Sequence, residues 1–405
     1  MKLEFTAEFF RGNREKLREL FAGTAPIVLA ANGLLQCSTS STYPFVQDGN
    51  FWYLTGIDEP NLILVLDKNK EYIILPELSH YQEVFDGSST PEELARLSGI
   101  ETILSSKDGW RQLNTRLKRV KHIATIAAPA AFVATYGMYT NPARADIIKK
   151  IKNSNPAVEL LDLSQHLQRM RMVKQPIEVD MISRAISATI AGIEFVEKKY
   201  RKKQYAHEFD VELDLSRQFW KQGAQKQSFE PIIASGERGL TLHVADKAVI
   251  DPDKQLLLDV GAQYRHYAAD ISRTWTIAPT KRFTSVHAAV CEVADFAMSL
   301  LKPGVILKDY EKQVESFMGE KLRELGLIKI IDHESVRQYF PHATSHFLGI
   351  DVHDVGDYGY PVAAGVVLTV EPGIYIPEEG IGVRIEDDVL ITTDGCQNLC
   401  KALAR

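Results

Sequence analysis

The stretch LLLDVGAQYRHYAADISRTW, residues 256–275, reads as a β-hairpin with an acid on each arm. An apolar run at 256–258 delivers Asp259, a turn is expected near Tyr264 and Arg265, and the returning strand sets Asp270 opposite Asp259. Directly opposed residues share a face, with Cβ atoms about 5 Å apart. Two carboxylates so placed repel, and their apolar flanks leave little water to relieve them. A cation or a shared proton is required.

A second stretch, VVLTVEPGIYIPEEGIGVRIEDDVLIT at 366–392, repeats the arrangement. A turn at Pro377, Glu378, Glu379 and Gly380 sets Glu371 opposite Glu386, and strand alternation puts Arg384 on the face of Glu386. Pro372 and Gly373 are compatible with a bulge that shifts this pairing by one, and Asp387 and Asp388 stand as competing acids. One acid at a strand end is ordinarily just solvated; the same opposed pattern in two hairpins points to a site. An aspartic-type pair sharing a proton is the rival chemistry, for which four carboxylates are too many.

Three histidines, His342, His346 and His353, fall within PHATSHFLGIDVHDVG. Ala343 follows His342, so this is not the HExxH zinc motif. His243 follows a glycine-rich turn in IIASGERGLTLHVAD, just upstream of the first hairpin, and that turn lacks the spacing of a phosphate-binding loop. One imidazole added to four carboxylates makes an oxygen-rich set suited to Mn²⁺, with Co²⁺, Fe²⁺ and Zn²⁺ also compatible. The four negative charges balance two divalent ions. Paired ions about 3.5–4 Å apart suit hydrolysis, because they lower the pKa of a shared water and polarise the carbonyl it attacks.

At 405 residues and 45% hydrophobic, the chain is long enough for two domains. A net charge of -6 with pI near 6.0 gives no basic footprint for nucleic acid or an anionic membrane, which leaves peptides or small molecules as partners. Charges interrupt every apolar run of MKLEFTAEFFRGNREKL, which is read as neither signal peptide nor anchor, and no run approaches the roughly 18 apolar residues of a spanning helix. Cys37, Cys291, Cys396 and Cys400 are too scattered for a disulfide framework, so a cytoplasmic location is expected. Cys396 and Cys400 have no further metal ligands beside them and read as structural.

Helical spacing over residues 8–21 (Phe9, Phe10, Leu17, Leu20, Phe21) precedes β-like runs at APIVLAA, FWYLTG, LILVLD, EYIILP and HIATIAA, and a helix near 143–151 follows. This is an α/β domain, with its boundary near residue 168. Beyond it a helix opens at Pro176 and runs to about Tyr200, and further helices are expected near 206–222 and 284–301.

The segments LLLDVGAQY, YAADISRTW, ATSHFLGIDVHD, TVEPGIYI and GVRIEDD resemble the aminopeptidase P and prolidase family of pita-bread metallopeptidases. The resemblance covers most of 168–405, and YPFVQDGNFWYLTGIDEPNLILVLD resembles, more weakly, the amino-terminal domain of that family. It implies an amino-terminal α/β domain over 1–167 and an α+β pita-bread (creatinase/aminopeptidase) catalytic domain over 168–405. It also implies Asp259, Asp270, His346, Glu371 and Glu386 as ligands of two metal ions, and settles Glu386 over Asp387 and Asp388. By the same resemblance His243 and His353 position the scissile group and stabilise the tetrahedral intermediate, His342 and Arg384 border the pocket for a proline ring, and Glu371 shuttles a proton. The implied activity is release of the first residue from peptides with proline second, by attack of a metal-bridged hydroxide, in a homodimer or homotetramer. A Xaa-Pro dipeptidase and a non-catalytic peptide-binding module are the alternatives. Two departures stand out: GDYGYPVAAG, before Glu371, is short and carries no arginine or lysine, and Ala269 stands where glycine is common.

Overall fold

Residues 5–20, 25–126, 133 and 135–405 are described by a computed structural model. They fall into two units, Met1–Leu167 and Gln168–Arg405, the division lying inside the helix Ser164–Met172. Among the described residues no helix is long and apolar enough to cross a membrane.

The first unit is built on a mixed six-stranded sheet ordered Ile103–Leu104, Lys70–Ile74, Ile63–Asp67, Ile27–Ala30, His122–Thr125, Glu159–Asp162. Its opening helix, Ala7–Leu20, buries Phe10, Asn13, Arg14 and Leu17, while Phe21 lies outside the described residues. Residues 127 and 128 of HIATIAA also lie outside them. FWYLTG, read above as a strand, is instead most of the helix Gly49–Thr55. The Asp48 side chain accepts from the N–H groups of Asn50 and Phe51, and Gly56 closes the other end at φ 67°, a left-handed conformation that suits glycine. The segment is buried on all sides, so it has no amphipathic period to betray a helix.

In the second unit the long helix is Pro176–Tyr200, begun by Pro176 in the first turn and a reciprocal cap between Gln175 and Glu178. The helices Glu208–Lys221, Lys281–Leu300 and Leu307–Glu324 surround the two hairpins. In the first hairpin Tyr264 pairs with Tyr267, so the turn is Arg265–His266, both at positive φ (49° and 70°), the geometry of a two-residue type I′ turn. The expected register is therefore two residues out: Asp259 pairs with Ser272, not with Asp270. A shift of two preserves the face, and Asp270 stays diagonal to Asp259 on the same side.

The second hairpin holds one register, Val367 to Leu390 through Val370 to Asp387, then Gly373 to Arg384 through Ile376 to Ile381. That register sets Glu371 opposite Glu386, but the ladder opens there. The N–H of Glu371 donates to Thr344 O (2.9 Å) and that of Glu386 to Ser272 O (3.1 Å), so the break at Pro372 releases both acids to other segments. Buried Arg273 then ties the hairpins together by donating to Ser272 O at 2.9 Å and Glu386 O at 2.7 Å.

Candidate metal centre

Strand ends from both hairpins and the irregular segment before residue 347 meet in one buried pocket. Asp270 and Glu386 are 5% and 2% exposed. Asp270 Oδ2 lies 3.5 Å from His346 Nε2, and Glu371 Oε1 lies 3.4 Å from the same nitrogen. Glu386 accepts from Ser272 Oγ at 2.7 Å, and Asp259 accepts from Arg384 Nη2 at 2.7 Å. One ligand atom each from Asp270, His346 and Glu386 falls within 4.8 Å of the others.

The orientation of His346 follows from a carbonyl. Its Nδ1 sits 3.0 Å from Phe347 O, which can only accept, so Nδ1 carries the proton and Nε2 turns a lone pair toward the acids. Burial, then the neighbouring His353, pushes the imidazole down to about 4, so it is neutral and free to ligate. The acids move the other way. Burial and then Glu386 and Asp259 raise Asp270 well above the usual carboxylate range; burial, then Glu371 and Asp259, do the same to Glu386. Glu371 is pushed up to about 8, chiefly by burial, against the opposing charge of Arg384. Asp259 Oδ1 and Asp270 Oδ1 are buried without a hydrogen-bond partner. Crowded carboxylates, orphaned oxygens and a lone-pair imidazole make a donor set that fits divalent metal ions.

The neighbouring acids separate cleanly. Asp387 turns away, bonded to Arg273 Nη2 at 2.7 Å and Arg405 Nη2 at 2.6 Å, so its charge is already compensated. Asp388 stays behind the pocket, where one carboxylate oxygen accepts the N–H of Asp270 at 3.1 Å.

Around the acids runs a wall that sequence reasoning saw only in part. Arg384, 3% exposed, spends its guanidinium on Asp259, on Ser272 Oγ (2.9 Å) and on Tyr375 OH (2.8 Å). His342 Nδ1 donates to Ala343 O at 2.9 Å, which leaves Nε2 to accept from Tyr375 OH at 3.0 Å. Tyr375 thus relays Arg384 to His342. It escaped notice because it alternates with apolar residues along its strand, as core tyrosines do. Ser272 and Thr369, which bonds both His346 N–H (3.1 Å) and Glu371 Oε1 (3.2 Å), gave no signal either. His353 packs edge-on against His346, ring centroids 4.3 Å apart, and its pKa is lowered first by burial and then by the neighbouring His243. His243 itself is exposed, on the loop between residues 241 and 249.

Comparison with known proteins points to a metallopeptidase family. Residues 180–393 match the model of metallopeptidase family M24, and residues 10–124 that of the aminopeptidase P N-terminal domain. The Xaa-Pro aminopeptidase of Escherichia coli is 30% identical over 98% of this chain and 95% of its own length. Human Xaa-Pro aminopeptidase 3 is 30% identical over 91% of this chain and 76% of its own. The structure of E. coli aminopeptidase P with the inhibitor Pro-Leu superposes with a TM-score of 0.83 at 27% identity, covering 100% of this chain and 97% of that one. Proline aminopeptidase P II of Yersinia pestis gives 0.83 at 27% identity, covering 99% and 97%.

Proposed function

The chain belongs to metallopeptidase family M24, and on that premise we propose that it is a Xaa-Pro aminopeptidase, releasing the first residue of peptides whose second residue is proline. As a member of that family it is a hydrolase that works with divalent metal. The observation that carries the reading is the pocket of mutually repelling, buried carboxylates around the lone pair of His346, in a chain whose residues 10–124 match the aminopeptidase P amino-terminal domain.

In this reading Asp259, Asp270, His346, Glu371 and Glu386 hold two divalent ions, Mn²⁺ by preference for an oxygen-rich set. When bound, such ions lower the pKa of a water and polarise the scissile carbonyl. The protein's own groups do the rest. Arg384 fixes Asp259, and Thr369 fixes both His346 and Glu371, so the ligands are preorganised. His353, packed against His346, and His243, close enough to influence His353, are the donors that stabilise charge developing on the carbonyl oxygen. Glu371 moves a proton to the leaving proline nitrogen. His342 and Arg384, locked through Tyr375, form the wall against which the proline ring rests. A tertiary amide has no N–H to recognise, so a rigid wall is what can select it.

The same reading takes the working protein as a cytoplasmic homodimer or homotetramer, which sedimentation of the purified protein tests. Rates on Xaa-Pro-Yaa-Zaa, Xaa-Ala-Yaa-Zaa and Xaa-Pro test the activity. The first substrate should be cleaved well ahead of the other two. Cleavage of the dipeptide alone makes the protein a prolidase, and cleavage of none overturns the proposal.

A further inference from the structure

Histidines of the site lie on irregular segments, which lack a ladder to satisfy their backbone N–H groups and so need side-chain partners. The loop that carries His243 is fastened by one carboxylate that never enters the pocket. Glu208, first residue of the helix Glu208–Lys221, is fully buried. Its Oε1 accepts the N–H of Ser235 at 2.7 Å, and its Oε2 accepts the N–H of Ala248 at 2.7 Å. Those two residues flank the segment 236–247, with His243 inside it.

The fastening continues outward. Oε1 also accepts from Arg238 Nε at 3.2 Å, and Arg238 Nη2 reaches across the loop to Asp246 O at 2.5 Å. The backbone N–H of Glu208 donates to Ala248 O at 2.8 Å, which makes the grip on Ala248 two-sided. Lys247 adds bonds to Pro231 O and Ala245 O at 3.1 and 2.9 Å. One buried acid thus closes the loop at its base, and one arginine braces it on either side of His243.

We propose that Glu208 is a positioning residue for catalysis: by holding both ends of the 236–247 loop it sets where His243 stands relative to the reacting carbonyl. The inference rests on the reading that His243 works in the site. Glutamine at 208 keeps the volume but offers one acceptor oxygen where three donors need two, so the base of the loop loosens. A small displacement of a group acting at the transition state lowers kcat more than it changes KM.

The test is a double-mutant cycle on metal-loaded enzyme with a Xaa-Pro-Yaa substrate, comparing wild type, E208Q, H243A and E208Q/H243A, with bound metal and Tm measured alongside. E208Q should lower kcat by about tenfold with KM and bound metal within about twofold of wild type, and should cost less than about twofold more once His243 is gone. Wild-type kcat in E208Q, loss of metal, or an equal loss in both backgrounds overturns the inference. Full activity in H243A overturns the reading of His243 itself, a separate failure. Should E208Q not fold, R238Q, which severs the tie to Asp246 from a partly exposed side chain, carries the same comparison with the same outcomes.

Discussion

Arg384 Nη2 donates to Asp259 Oδ2 at 2.7 Å, a buried guanidinium set against a largely buried member of the acid cluster. The same side chain holds Ser272 and Tyr375, so it supplies the pocket with positive charge of the protein's own. Removing one partner of a buried pair leaves the other unpaired, at a cost of about 3–5 kcal/mol. R384M should be destabilised by that order in urea unfolding with EDTA present, and divalent ions should narrow the gap to wild type. Equal stability of the two metal-free proteins would show that Arg384 does not balance the acids.

Loss of a metal ligand and loss of the histidine packed beside one should differ in kind. Asp270→Ala removes a carboxylate that faces His346 Nε2 at 3.5 Å, and should abolish both metal retention and turnover. His353→Ala removes a ring that packs on His346, and should keep the metal while lowering kcat by about 10²-fold, typical of a group acting on the transition state. Metal analysis beside steady-state kinetics separates the two; full activity in either variant counts against these roles.

Glu311 secures the histidine segment from behind. Its carboxylate accepts the N–H of Thr344 at 3.0 Å and of Ser345 at 3.1 Å, just before His346. In Glu311→Ala these buried donors lose their acceptor, which costs about 1–3 kcal/mol each when no water replaces it. Thermal unfolding should show a lower Tm, and an unchanged Tm would mean that the segment finds other acceptors.

Much of this was legible in the sequence, for reasons that particular residues explain. The helix Pro176–Tyr200 announced itself through Pro176 and a sustained apolar period. In the second hairpin, Gly380 at φ 65° marked the turn and with it the register of Glu371 against Glu386. In the first, the turn is made by Arg265 and His266, residues that give no turn signal, so Asp270 was placed opposite Asp259. The face survived the error because side chains alternate with period two. Glu208, Glu311 and Tyr375 could not be found by pattern. Each acts on residues far away in the chain, through contacts that only the folded unit creates.

Acid should weaken the first unit through Glu71. Burial opposes its charge, but hydrogen bonds and charge from Arg14, and then Arg18, outweigh that and hold the carboxyl below its ordinary 4.5. A depressed folded-state pKa contributes stability that is present above the unfolded value and is lost as pH falls through the folded one. Wild type should therefore lose more stability than E71Q between about pH 5 and pH 3. Parallel pH profiles for the two proteins would remove Glu71 from the account.

The central claim, that the paired acidic hairpins form a two-metal centre for cleaving Xaa-Pro bonds, is met most directly by a titration. Protein stripped with EDTA and dialysed should be inactive on a Xaa-Pro-Yaa peptide, and added Mn²⁺ should restore hydrolysis as the bound metal approaches two ions per chain. Undiminished hydrolysis after stripping, or full activity at no bound metal, would contradict it.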